Sequence, residues 1–551
     1  LTRKHVGETV CAVNDLEGST MDRTQNSAST RRLRTAMAAA VVAAGALVVA
    51  SAGSAAGASG DAAVVRTDSG PVRGTVTSDV RSFQGIPFAA PPVGELRWRP
   101  PQPPRRWTEP RDATAPADRC AQPQNIGPAS ESEDCLYLNV TTPRTEGRAK
   151  PVMVWLHGGG NVYGSGVDYD PRRLAVRGDV VVVTINYRLG VFGFLGHPRL
   201  ADSGAFGLQD QQAALRWVRD NAAAFGGDPR NVTLFGQSGG AYDVCAQLTS
   251  PAARGLFERV IMESGTCSMT WPRNGVNPGI SAGSPWQPLS EAQAEGVTLA
   301  AGLGCADQRS QVDCLRQVPV PRLLAATQTA DLPAVAYGNR TLPANPATAL
   351  AEGRFTHVPV ISGSNRDEQR LATAFLPQAF TEEGYQQLLV DAFGDKAPLV
   401  AARYPSAELG SSALAWAAVA TDRVWSCAQV ADQRRFARWA PTYGYEFADR
   451  SAPTQFPFPD GLPAGAYHGA EMAYLFDLNG SAVSLTPSQQ ALADQMIRYW
   501  SRFATTGNPN DDGSPTWTRA HDSTVQSLAP GNIAQVNIAD EHQCAFWSTI
   551  T

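Results

Sequence analysis

The chain has 551 residues, 43% of them hydrophobic and 18% charged, with a formal net charge of −5. This is the composition of a globular protein, and the acidic balance sets nucleic acid aside as a partner. Length does not count domains here, because single α/β enzymes with large insertions reach this size.

Met21 opens a stretch carrying Arg23, Arg31, Arg32 and Arg34, followed by the apolar run Ala36 to Ala50. A basic region, an apolar region and small-residue sites at Ala50-Ser51-Ala52 and Ala56-Gly57-Ala58 together read as a secretory signal. Residues 1–58 are therefore expected to be a leader. A membrane anchor is the competing reading, but the run makes only about 22 Å of helix against a hydrocarbon core of about 30 Å. No stable membrane anchor is expected. Arg34 and Thr35 stand where a twin-arginine signal wants apolar residues, which favours ordinary secretion. Without the leader, 40 basic side chains face 47 acidic ones.

Cys11 lies ahead of the signal, so the exported chain keeps Cys120, Cys135, Cys245, Cys267, Cys305, Cys314, Cys427 and Cys544. An even count behind a secretory signal reads as disulfides. Neither a C-x-x-C pair nor H-E-x-x-H is present to suggest zinc.

Beyond Ala58 no repeat or low-complexity linker marks a second domain. The Pro-rich segment Pro91 to Pro104 carries Val93, Leu96 and Trp98 and is predicted to be a packed surface loop. Val152 to Leu156 and Asp179 to Tyr187 are continuous apolar runs rich in β-branched residues, the pattern of strands buried on both faces. Leu208 to Phe225 has helical spacing, Val232 to Phe235 is strand-like, and Tyr242 to Leu248 continues as helix. Strand and helix alternating in this way predict an α/β fold with a doubly wound, mostly parallel central sheet flanked by helices.

Gly236-Gln237-Ser238-Gly239-Gly240 sits between such a strand and such a helix and fits G-x-S-x-G. In that elbow a sharp turn strains the serine and exposes its hydroxyl, and side chains two residues before and after would collide. A second copy, Gly279 to Gly283 around Ser281, lacks the preceding strand and the following helix and reads as a Gly/Ser loop. Ser238 is thus the candidate nucleophile, and it needs a base. In the chain order Ser, acid, His, the candidates are His357, His468, His521 and His542. His357 precedes an apolar strand, HVPVIS, and His521 and His542 stand in polar terminal segments. That leaves His468, in a Gly-flanked loop before the helical Met472 to Phe476. The end of the HVPVIS strand, at Asp367-Glu368, is the natural place for the acid, and the residues alone do not choose between the two. Leu156-His157-Gly158-Gly159-Gly160 closes the first buried strand with bare backbone amides suited to a developing oxyanion.

With these residues placed, the chain resembles the type-B carboxylesterase and cholinesterase family of α/β-hydrolases from about Val64 to Trp547. The resemblance is carried by FQGIPFAAPPVGELRW (83–98), EDCLYLNV (133–140), NYRLGVFGFL (186–195), GLQDQQAALRWVRDNAAAFGGDP (207–229) and a terminal CAFW, besides the motifs above. It implies that 59–551 is one α/β-hydrolase domain with Ser238 as nucleophile, Glu368 as acid, His468 as base, and the amides of Gly159, Gly160 and Gly239 as oxyanion hole. It also implies disulfides Cys120 with Cys135, Cys305 with Cys314 and Cys427 with Cys544, and subtraction pairs Cys245 with Cys267. The family's usual elbow is G-E-S-A-G; here Gln237 replaces the Glu, removing a negative charge, and Gly239 replaces the Ala, loosening one oxyanion donor.

The expectation is a secreted serine esterase acting on small-molecule esters through an acyl-enzyme, with no metal or organic cofactor. A lipase acting on insoluble triglycerides shares the same catalytic residues and differs in its pocket, which Trp271 and Trp286 are candidates to line. Non-catalytic adhesion relatives lack a complete triad, whereas this chain has one. Choline esters are not expected to be preferred. The loop Ala121 to Asp134 carries no aromatic residue to face a quaternary ammonium, although Glu131, Glu133 and Asp134 offer negative charge.

Overall fold

The computed structural model describes residues 63–125, 127–328 and 331–550; the leader reading lies outside the described residues. The central sheet has eleven strands. In chain order they are β1 (Thr75–Val76), β2 (Val80–Pro87), β3 (Tyr137–Pro143), β4 (Lys150–Leu156), β5 (Val181–Ile185) and β6 (Gly227–Gln237). The rest are β7 (Arg259–Glu263), β8 (Val360–Asn365), β9 (Thr442–Phe447), β10 (Thr524–Ala529) and β11 (Asn532–Asn537). Their order across the sheet is β11-β10-β9-β8-β7-β6-β4-β5-β3-β2-β1. From β10 to β5 every pairing is parallel, while both margins are antiparallel.

The parallel middle follows from the sequence. Every residue of VVVTI in β5 is buried, and so is every residue of β4 except Pro151. Alternation then sends neighbouring side chains to opposite faces. Val152, Val154 and Leu156 join one core with helices α1 (Phe206–Asn221), α2 (Gly239–Thr249) and α3 (Cys427–Ala437). Met153 and Trp155 join another, against Met496 and Trp500 of α4 (Pro487–Thr506). Helix α4 starts on a capping box in which Thr486 and Gln489 satisfy one another's backbone amides, with Pro487 at its first turn, and it stops at Gly507 in a left-handed conformation.

The strand expected over Asp179 to Tyr187 is shorter, because Asp179 closes the helix Arg172–Gly178 with a left-handed φ of 51°. The helix expected to Phe225 ends its α-helical part at Asn221 and tightens into a 3₁₀ turn, Ala222–Phe225. In the Pro-rich segment Trp98 is buried and donates its indole N–H to Val191 O, whereas Val93 is exposed. Disulfides join Cys120 to Cys135, Cys245 to Cys267, Cys305 to Cys314 and Cys427 to Cys544.

His542 is not the polar-surface residue that its sequence surroundings suggest. It is buried, with Nδ1 2.5 Å from Asp422 Oδ1 and Nε2 2.6 Å from Glu446 Oε1. Arg366 and Tyr404 also reach this cluster, through Glu446 and Asp422 respectively. Burial alone pulls the imidazole pKa down, but the two carboxylates outweigh it and push it up to about 10. A raised folded-state pKa stabilises the fold fully below the ordinary value of 6.5, and the benefit shrinks above it and is gone once the pH passes about 10. Thermal unfolding of wild type and His542→Gln is therefore expected to show a large Tm gap at pH 6 that narrows as the pH rises from 6.5 and has closed by about pH 10. A gap that is constant across this range would contradict the charged-histidine cluster.

Candidate active site

Ser238 stands at the C-terminal end of β6, the sixth of the eleven strands, immediately before α2. Its backbone is at φ 56° and ψ −120°, a region that side chains rarely adopt. The flanking glycines permit it. A Cβ at Gly240 would come within 2.1 Å of Leu156 O, and one at Gly236 within 2.7 Å of the Gly240 carbonyl carbon and oxygen. The Ser238 amide donates to Glu263 O on β7, which ties the turn to the neighbouring strand.

His468 and Glu368 arrive from loops that follow β9 and β8. Glu368 Oε2 is 2.6 Å from His468 Nδ1, Glu368 Oε1 accepts from the Asn365 amide at 2.7 Å, and the His468 amide donates to Glu368 O. Asp367 is otherwise engaged: its carboxylate meets Arg450 at 2.9 and 3.0 Å and Arg370 at 2.8 Å, and it accepts from the Ala466 amide. This separates the two acids that the sequence left side by side. Of the remaining histidines, His357 is exposed and stacks on Trp439, and His521 is exposed.

The charge beneath the imidazole is graded. Burial, then Glu368, pushes Glu471 up to about 7, and burial, then Glu471, holds Glu263 well above the usual carboxylate range. Burial disfavours the charged form of His468, but Glu368 by charge and hydrogen bond, with Glu471 behind it, raises its pKa on balance. The Nε2 of His468 lies 3.2 Å from Gln237 Nε2. With Nδ1–H directed at Glu368, Nε2 is the unprotonated nitrogen and Gln237 donates to it.

Ser238, Gln237, Glu368 and His468 line one cavity of about 520 Å³, together with Gly159 and Gly160. Trp271 lines it as well; Trp286 does not, being buried behind Tyr242 with its N–H donated to Cys267 O. Trp425, which sequence reasoning missed, packs against the imidazole with ring centres 4.6 Å apart and donates to Gln369 Oε1. It is presented by a π-helical turn, Thr421–Ser426, a widening of the helix that no periodicity in DRVWSC announces. Glu131, Glu133 and Asp134 do not line the cavity; Glu133 is paired with Arg97, and Asp134 accepts from Tyr137. Asp168 does line it, neutralised by Arg119 at 2.7 Å. Among the described lining residues none is Lys or Arg. Among the described residues no group of three or more His, Cys, Asp or Glu side chains is placed to hold a metal ion.

The family model for the carboxylesterase family matches residues 61–547. The chain belongs to the carboxylesterase family. It is 37% identical over 493 residues to the fumonisin B1 esterase of Sphingopyxis macrogoltabida, covering 83% of this chain and 85% of that one. It is 34% identical over 491 residues to the para-nitrobenzyl esterase of Bacillus subtilis (strain 168), covering 84% and 94%. A solved PNB esterase superposes with a TM-score of 0.72 at 34% identity, over 87% of this chain and 99% of the other. The protein is thus a carboxylic ester hydrolase with the α/β-hydrolase fold. No helix among the described residues is long and apolar enough to cross a membrane.

Gln237 bears on the protonation of His468 through its contact with Nε2. The amide is neutral and donates to Nε2, so it favours the unprotonated ring, whereas a carboxylate there would accept from Nε2–H and favour the imidazolium. Glu368 and Glu471 are the charged groups acting on the ring. Gln237→Glu is expected to move the acid-side fall of kcat/KM to higher pH. An unmoved or lowered acid limb would show that Gln237 does not act on His468.

Proposed function

We propose that this carboxylesterase works through Ser238, His468 and Glu368 and forms an acyl-enzyme. Ser238 Oγ attacks the ester carbonyl carbon while His468 Nε2 takes its proton. The same proton passes to the departing alkoxide; water, deprotonated in turn by His468, then attacks the acyl carbon, the bond to Ser238 Oγ breaks, the proton returns to Oγ and the acid leaves. Glu368 orients the ring and stabilises the imidazolium. The amides of Gly159, Gly160 and Gly239 donate to the carbonyl oxygen as it gains charge. The observation that carries the reading is the 2.6 Å contact of Glu368 with His468 in the same cavity as a serine on a strained elbow.

The cavity favours neutral, largely apolar esters. A carboxylate on the substrate finds no Lys or Arg among the described lining residues, and Asp168 is already balanced by Arg119. Aromatic faces are present in Trp271 and Trp425, but the position before the nucleophile is the neutral Gln237. A quaternary ammonium therefore gains little over an uncharged group of equal shape. We further propose that the protein is secreted, which the four disulfides and the signal-like leader support.

Ser238→Ala is expected to lower kcat/KM for p-nitrophenyl esters by roughly 10³-fold or more. Ser281→Ala, on an exposed loop where its hydroxyl bonds Asp331, is expected to leave it within about 2-fold. Full activity in Ser238→Ala would overturn the assignment. Butyrylcholine and its neutral isostere 3,3-dimethylbutyl butyrate are expected to have kcat/KM values within about 10-fold of each other, since the roughly 2 kcal/mol of a cation–π contact at the buried Trp271 or Trp425 is offset by the cost of desolvating the ammonium. A larger preference for the cation would overturn the neutral-ester reading.

A further inference from the structure

Asp243 is a fully buried carboxyl group with no part in the mechanism above. It lies on α2, one helical turn beyond Gly239. Its Oδ1 accepts from Asn161 Nδ2 at 3.1 Å, and its Oδ2 accepts from Gln211 Nε2 at 2.6 Å on α1. Burial pushes its pKa up to about 7, against the pull of these two amides. Removing a carboxyl group from water without a cation is costly, so its partners bear on why it is there.

Asn161 is the residue directly after Gly160. It too is fully buried, and its φ of 61° is left-handed. Its carbonyl accepts from the Gly190 amide at 2.7 Å, so its backbone is held from one side and its side chain from the other. The loop it closes presses on Gly239. A Cβ at Gly239 would stand 2.8 Å from Gly160 N and 3.2 Å from Asn161 N. The two sources of oxyanion donors, the glycine loop and the start of α2, therefore meet backbone to backbone where a methyl group would force them apart. Asn161 and Asp243 bridge the same two elements by a hydrogen bond. Gln211 is itself laced to α2, accepting from Gln247 Nε2 at 2.8 Å, while Gln247 accepts from Gln212 at 2.9 Å. The carboxyl group thus terminates an amide chain that fixes α2 against α1.

We propose that Asn161 and Asp243 are positioning residues that clamp the Gly159–Gly160 loop to α2 and thereby set the separation of the oxyanion donors. The proposal rests on the triad reading above. The clamp compensates for Gly239: the glycine allows the close approach but leaves the donor backbone free, and the Asn161 to Asp243 bond removes that freedom. Its effect falls on the transition state, when the carbonyl oxygen becomes charged, and only weakly on binding of the neutral ester.

Asn161→Gly tests this without backbone strain, since glycine accepts the left-handed conformation and only the side-chain donor is lost. It is expected to lower kcat by about 10- to 100-fold, the size of a misplaced catalytic group, with KM changed by less than about 3-fold. Affinity for a trifluoromethyl ketone transition-state analogue should fall by the same factor as kcat/KM. The exchanged pair Asn161→Asp with Asp243→Asn keeps one donor and one acceptor across the gap, and Asn at 243 still accepts from Gln211. It is expected to recover at least about 10-fold in kcat over Asn161→Asp alone, which sets two carboxyl groups against each other. A kcat for Asn161→Gly within about 2-fold of wild type, or a loss confined to KM, would overturn the proposal. So would an exchanged pair no better than its singles, and this arm stands by itself if Asn161→Gly does not fold. Activity retained in Ser238→Ala would instead remove the triad reading on which the clamp rests.

Discussion

The strained turn at Ser238 is the constraint on which the rest of the structure depends. A non-glycine residue at φ 56° and ψ −120° costs on the order of 1–3 kcal/mol and persists only where its surroundings over-determine it. Here they do. Strand β6 is held on both sides by parallel partners, Phe235 in register with Trp155 and Ile261. On the far side of the turn α2 is pressed so close to β4 that Gly240 has no room for a Cβ beside Leu156 O. The strain lifts the hydroxyl out of the strand and starts a helix beneath it. Gly236, Gly240 and the buried character of β4 to β7 follow from the same need.

Around that turn the electrostatics are arranged in depth. Three buried carboxyl groups, Glu368, Glu471 and Glu263, lie below the imidazole; Glu471 is pushed upward by burial and by Glu368, and Glu263 by burial and by Glu471. Glu368 is the carboxyl group in direct contact with His468, and Glu471 acts from behind it. Above the imidazole the cavity is close to neutral, since Asp168 is matched by Arg119 and the residue before the nucleophile is an amide. On the proposed mechanism this confines charge to where the reaction creates it, which suits the neutral ester proposed as substrate.

What was legible in the sequence was whatever depends on local pattern. The strands around Val154 and Val183 could be read because burial on both faces leaves only apolar, β-branched residues. The elbow could be read because its pattern of glycines around one serine spans only five residues, although the atom that leaves Gly240 no room for a Cβ is the distant Leu156 O. The margins of the sheet were less legible: β1 has only two residues, and the hairpin of β10 and β11 is partly exposed and mixed in composition. The site was legible as far as residue types and chain order go. Asp367 and Glu368 were indistinguishable by themselves, because what separates them is Arg450 and Arg370 on one and His468 on the other, contacts up to 100 residues apart in sequence. His542 reads as a terminal polar residue until the fold brings Asp422 and Glu446 to it, and Trp425 reaches the imidazole only through a widened helical turn. Asn161 and Asp243 lie just beyond two recognisable motifs, and nothing in either motif says that their side chains meet.

The central claim is that one serine, and that one alone, is activated. The most direct test is intact-mass and peptide mapping of the protein after reaction with an organophosphate, which labels a serine only where a neighbouring base has made it nucleophilic. A single adduct on the peptide containing Ser238, formed in step with loss of esterase activity, is the expected result. An adduct on Ser281, or complete inactivation with Ser238 unlabelled, would contradict it.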